Sequence, residues 1–214
     1  MRQSGMSTKP MPRLALALPL LLMIVLVAGC SLIPEQQPVR LFTLPASSLS
    51  ASDATARDLT LRVDTPSAGS PLNGPRLLVM PSPGEFQAYA GARWRDDIPP
   101  LLRDHLVTAF RLDGRLAAVV DDASRARSDA NLASHLEAFH SRYREGAPEV
   151  VLRLEAQLID EASREVLARR RFEVIAASEN DSLDAVVSAF GRAADRLASE
   201  LVDWTLAQMG NGSS

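Results

Sequence analysis

Lysine occurs once in this 214-residue chain, at Lys9, cysteine once, at Cys30, and histidine three times; aromatic residues make up 5%. A lone cysteine rules out an intrachain disulfide as a source of stability. Beyond residue 29 the chain carries 20 basic residues, all arginine, against 26 acidic ones. The arginines alternate with Asp and Glu and form no basic stripe, which excludes a nucleic-acid surface. Catalytic motifs are missing too. There is no Gly-x-Ser-x-Gly elbow, no phosphate-cradling glycine loop and no carboxylate pair set apart from the solvated acids. His105 stands on an apolar helical face with no second ligand at i+3 or i+4, and His135 and His140, five apart, fall on opposite faces of a strand. The expectation is a non-enzymatic protein with no metal and no cofactor.

The N-terminus carries more information. Arg2, Lys9 and Arg13 precede an apolar run from Leu14 to Val27, broken only by Pro19. At about 14 residues the run falls short of the roughly 20 needed to cross a bilayer as a helix, and its basic leader has the form of a secretory signal. It ends in Leu26-Val27-Ala28-Gly29-Cys30, which resembles the lipobox of bacterial lipoproteins. That resemblance implies cleavage before Cys30, a diacylglycerol on its sulfur and an acyl group such as palmitate on its new amine. One acyl chain holds a protein only marginally, at about 0.8 kcal/mol per CH₂, so several chains are needed for a stable anchor. Ser31, rather than Asp, follows Cys30 and implies attachment to the outer membrane, facing the periplasm. Residues 1–29 are thus expected to be a signal and 30–38 a lipidated tether, followed by one domain over 39–210 and a frayed tail at 211–214.

Within the domain, Val39–Leu44 and Leu59–Val63 have strand character, with a Ser/Ala-rich loop between them, and Arg76–Met80 reads as a buried strand. Asp97 is expected to cap a helix with Pro99 and Pro100 in its first turn, an apolar face from Ile98 to Phe110, and a stop at Gly114. Leu116–Val120 is a further strand. Asn131–Arg142 reads as a short helix or as a strand with Leu132, Ser134, Leu136 and Ala138 on one face. Two strand-like runs after it, Val150–Ile159 and Val166–Ala176, favour a meander with turns at Gly146-Ala147-Pro148 and Asp160–Ser163. A long helix follows, capped by Asp181 or Ser182, with a buried stripe from Leu183 to Leu206. The expected fold is α+β: a two-layer sandwich of a largely antiparallel sheet of six to seven strands packed by two main helices.

The segment Tyr89-Ala90-Gly91-Ala92-Arg93-Trp94, with Pro100–Leu106 after it, resembles the ABC-type transport auxiliary lipoprotein family (PqiC/YmbA-like). So do Cys30, the Leu44-Pro45 end of the first strand, and the Ala-rich helix closing on Trp204. The resemblance covers essentially the whole mature chain. It implies a periplasmic partner of an MCE-domain protein and, through it, of an ABC permease and ATPase that move phospholipid or other apolar cargo. It is also compatible with a homo-oligomer. An independent lipid or envelope-component chaperone, of the kind that assists lipopolysaccharide assembly, is the alternative function.

Two features admit two readings each. Tyr89, Arg93 and Trp94 form a partner surface, since Tyr, Trp and Arg dominate binding hot spots, or else Trp94 plugs the edge of the sandwich and Gly91 permits a tight turn. The stripe Ala185, Ala189, Ala193 and Ala194 either lets helix and sheet approach closely or lines a lipid path.

Overall fold

The structure is a computed structural model that describes residues 38–211. These residues fall in the unit Val39–Ser214, apart from Pro38. The signal, Cys30 and the tether up to residue 37 lie outside the described residues. Among those that are described, no helix is long and apolar enough to cross a membrane.

Among the described residues nine strands form one sheet: β1 (Arg40–Phe42), β2 (Arg57–Val63), β3 (Ser67–Ala68), β4 (Arg76–Ser82), β5 (Glu85–Trp94), β6 (Leu116–Asp121), β7 (Ala130–Arg144), β8 (Ala147–Asp160) and β9 (Val166–Ala177). Two helices cover one face, α1 (Ile98–Asp113) beside β6 and α2 (Leu183–Asn211) across β8 and β9. The architecture is the expected two-layer α+β sandwich. β7 organises it: one edge pairs antiparallel with β8 over its whole length, and the other takes β2, β3 and β4 in turn, each parallel. The meander β7–β8–β9 supplies most of the antiparallel pairing.

The two additional strands have physical reasons. β3 is only two residues long, held against His135 and Leu136, too short to show a period. β5 hides its periodicity in a bulge. Arg76 pairs with Arg93 but Leu78 pairs with Ala88, so β4 advances two residues while β5 advances five. The surplus, Tyr89–Ala92, contains Gly91 at φ +65°, a conformation that side chains with a Cβ resist.

A second bulge corrects the reading of the histidines. Leu136 pairs with Leu154 and Ala138 with Arg153, which leaves Glu137 without a partner in register. The phase of β7 flips there. Leu132 and Leu136 face the helices before the bulge, but Phe139 and Ser141 do so after it, and Ala138 turns away. His135 and His140, expected on opposite faces, consequently share the open face. The meander turn is also displaced. Glu145 and Gly146 occupy it at φ +53° and +82°, the pair of left-handed residues that a two-residue hairpin requires, while Pro148 lies within β8 opposite Tyr143.

At the helix ends, Asp97 holds the cap position of α1 but its side chain makes no cap hydrogen bond, whereas Gly114 closes the helix at φ +77°. Ser182 caps α2, its Oγ accepting from the Ala185 N–H at 3.2 Å. Ala189, Ala193 and Ala194 are fully buried in the core and Ala185 is half-buried. The stripe therefore serves the close approach of helix and sheet. The core is aromatic where the layers meet: Trp94, Phe139 and Phe190 lie within 4.9 to 5.8 Å of one another, and Phe172 stands edge-on to Trp204 at 5.7 Å.

The segment from Arg40 to Arg57 is laid along α2. Arg40 pairs with Asp184 at 2.6 Å, Pro45 covers Gly191, Ser48 binds Asp195, and the Arg57 guanidinium donates to the Leu206 carbonyl at 2.9 Å. From Asp184 to Leu206 this strap follows about 33 Å of helix at 1.5 Å per residue. A Cβ on Gly191 would come within 2.6 Å of the Pro45 ring. Gly191→Ala is therefore expected to cost about 1–3 kcal/mol by overpacking. Combined with Pro45→Gly it should cost less than the sum of the two single changes, as urea denaturation of the four variants will show.

Candidate functional site

The strap passes between the helices, and His105 of α1 meets it there. The buried His105 ring places Nε2 3.1 Å from Asp195 Oδ1 and hydrogen-bonds the Pro45 carbonyl on its other side. Asp195 also accepts from the Ser48 backbone N–H at 3.2 Å and from Ser48 Oγ at 2.5 Å. Burial lowers the pKa of His105, against the opposing pull of Asp195 and the Pro45 carbonyl. Ser, Asp and His meet here in the wrong order for nucleophilic catalysis. The carboxylate stands between the other two, so the imidazole does not touch Ser48 Oγ. The cluster is a clamp that ties strap, α1 and α2 at one point, and it gives His105 the satisfied buried role that its position on an apolar face suggested.

Two surface depressions flank the clamp. One, of about 370 Å³, lies between Thr43–Ser47 and the α1 residues Leu101, Asp104, His105 and Thr108, with Arg95 beside them. The other, of about 470 Å³, lies between Ser48, the end of β9 at Ile175–Ala177, and Arg192, Asp195 and Arg196 of α2. Neither was legible in the sequence, because the walls of each come from segments that are far apart along the chain.

The structure separates the three residues of the proposed partner surface. Trp94 has no exposed surface; its ring stands edge-on to the stacked pair Phe139 and Phe190. The bulge in β5 drives it inward, so Trp94 is a core plug rather than a contact residue. Tyr89 is half-buried with its hydroxyl 2.8 Å from Ser141 Oγ, and burial raises its pKa. Arg93 alone is exposed, beside Leu41 of β1, which is 56% exposed. Cys30 lies outside the described residues.

On the open face, Glu137, the residue of the β7 bulge, pairs with Arg171 at 2.5 Å, and Arg153 pairs with Glu173 at 2.6 Å. His135 is exposed and bonds Ser67 Oγ at 2.9 Å. His140 is buried edge-on against Phe86, and its Nδ1 has no partner. Burial, reinforced by Arg142 and Arg153, pushes its pKa down to about 4. Among the described residues no group of three or more His, Cys, Asp and Glu side chains could hold a metal ion.

Residues 42–202 match the family of ABC-type transport auxiliary lipoprotein components. The chain belongs to that family. The ABC-type transport auxiliary lipoprotein fold is also shared with the crystal structure of protein XCC0632 from Xanthomonas campestris. The two are 33% identical, with a TM-score of 0.76, over 82% of this chain and 99% of the other. A second crystal structure shares the fold at 18% identity and a TM-score of 0.62, over 78% of this chain and 97% of that one. A Bradyrhizobium diazoefficiens protein is 28% identical over 161 residues, which are 75% of this chain and 41% of the relative. The chain thus spans about two fifths of that relative's length. The family is one of transport auxiliary lipoproteins, and its lipoprotein character makes this a membrane-anchored protein of the cell envelope.

Two expectations follow. Trp94→Ala should cost about 3–5 kcal/mol of stability, whereas Arg93→Ala should change it by less than about 0.5 kcal/mol, both measured by urea unfolding. His140 stays neutral in the fold but takes up a proton near pH 6.5 once unfolded, so stability falls as pH drops from 6.5 toward 4, by up to about 1.4 kcal/mol per unit. In His140→Gln that part of the loss should disappear from unfolding midpoints measured across the window.

Proposed function

We propose that this protein is acylated at Cys30, resides in the outer membrane facing the periplasm, and holds an MCE-type lipid-transport assembly to that membrane without catalysing a reaction. The observation that carries the reading is the strap. Val39 stands nine positions after Cys30, a reach of at most about 32 Å, and the chain then runs straight into contacts with α2 at Asp184, Gly191, Asp195 and Leu206. A pull on the anchor is shared among several points on the helix that closes the core, as a tether requires. The filled aromatic interior and the burial of Ala189, Ala193 and Ala194 favour a tether over a carrier that holds acyl chains between its layers.

In this reading the ATPase, permease and MCE-domain protein perform the transport, and no cofactor beyond the covalent lipid is needed. Arg93 and Leu41 are the contact residues for the MCE partner. Arginine is enriched in binding hot spots, and here it stands exposed beside an exposed apolar side chain. Cys30→Ala should leave the domain folded yet remove it from the outer-membrane fraction and abolish complementation of a deletion strain. Full complementation by that variant would defeat the tether. Crosslinking in membranes should recover the MCE-domain protein, with recovery reduced several-fold by Arg93→Glu; recovery of neither MCE protein nor permease would defeat the assignment of partner.

A further inference from the structure

We propose that the depression between Ser48, the end of β9 and α2 is a binding site for a phosphate group carrying an apolar substituent, with Arg192 and Arg196 as its ligands. The two arginines stand one turn apart on α2 and both line the depression. Each is held by a carbonyl at the edge of the sheet: Arg192 Nη2 donates to Ala177 O at 2.7 Å and Arg196 Nη2 donates to Ile175 O. Arg192 Nη1 additionally meets Ser188 Oγ at 3.0 Å. A guanidinium has five N–H donors, so these contacts fix the direction of both heads and leave most of their donors unused. Two oriented forks side by side match the oxygens of a phosphate, which arginine recognises through paired hydrogen bonds.

The charge is available as well. Arg196 has no ion pair among the described residues, and the ion pair of Arg192 there is with Glu179, 3.7 Å away and 78% exposed, a pairing that contributes little in water. Asp195 shares the depression, but both its oxygens are taken by Ser48 and His105, which turns its charge toward the strap. Ile175, Ala176 and Ala177 supply the remaining wall, a surface suited to an apolar group attached to the phosphate. A phospholipid headgroup and a free phosphate share the chemistry that the arginines read.

The test uses the full chain purified in detergent, titrated with inorganic phosphate, with dihexanoyl phosphatidylglycerol and with dihexanoylglycerol, and followed by ³¹P line broadening and by thermophoresis. Binding of the phospholipid above inorganic phosphate, weakened about tenfold or more by Arg192→Gln with Arg196→Gln, identifies a headgroup site. Equal binding of both, lost in the same variant, identifies a free-phosphate site and sustains the assignment of ligands. Dihexanoylglycerol binding as well as the phospholipid, no binding of any probe, or binding unchanged in the double variant overturns it. Should that variant fail to fold, Glu179→Gln decides: it removes the competing carboxylate without touching the strap and should tighten phosphate binding about two- to threefold, and unchanged affinity overturns the proposal. Loss of phosphate binding would leave co-isolation with the permease intact, so this site and the tether can fail separately.

Discussion

The contact between the strap and α2 is the constraint on which the remaining arrangement depends. It is built from small fits: a proline against a glycine with no room for a Cβ, a serine and a histidine on one aspartate, and an arginine reaching a helix carbonyl. No member of that set is strong alone. Exposed ion pairs such as Arg40–Asp184 contribute little, and a neutral hydrogen bond adds about 1 kcal/mol. Their spacing along one helix is what matters, because it closes α1 and α2 over the sheet and turns an otherwise irregular loop into a fixed path for the chain.

Arginine as the sole basic residue of the domain finds its explanation at the margins of the sheet. Free strand edges expose carbonyls that invite pairing with other chains. Here guanidiniums cover them: Arg111 donates twice to Val119 O, Arg62 reaches Asp121 O, and Arg192 and Arg196 cap the end of β9. A lysine is a compact point charge, whereas a planar fork with five donors can satisfy a carbonyl and still present donors elsewhere. The dispersal of arginines along the sequence and the covering of edges are thus connected, because these arginines are committed to separate backbone groups rather than collected into a stripe.

The helices, the meander and the sandwich class were legible because each rests on a sustained period: Ile98 to Phe110 at helical spacing, Val150 to Leu158 in alternation. What escaped lay where a period breaks. The bulge at Glu137 reversed the phase of β7 and brought His135 and His140 onto one face. The bulge over Tyr89–Ala92 hid β5 and sent Trp94 into the core, although its aromatic and arginine content read equally well as a binding surface. The clamp could not be read at all, since Pro45, His105 and Asp195 are close only after the sheet and both helices have assembled. The Leu44-Pro45 pair was visible as part of a resemblance, but its reason, a fit onto Gly191, was not.

The strap also sets a condition on time. Arg40 and Asp184 are separated by 144 positions, and chains are made and released from the N-terminus onward. The strap can take its partners on β5 and α1 first, but its contacts along α2 must wait until that later segment has coiled into a helix. Contacts of such long separation form late and slowly. Until then the strap lacks its seat along α2, and the fixed path of the chain is completed only when that helix has formed.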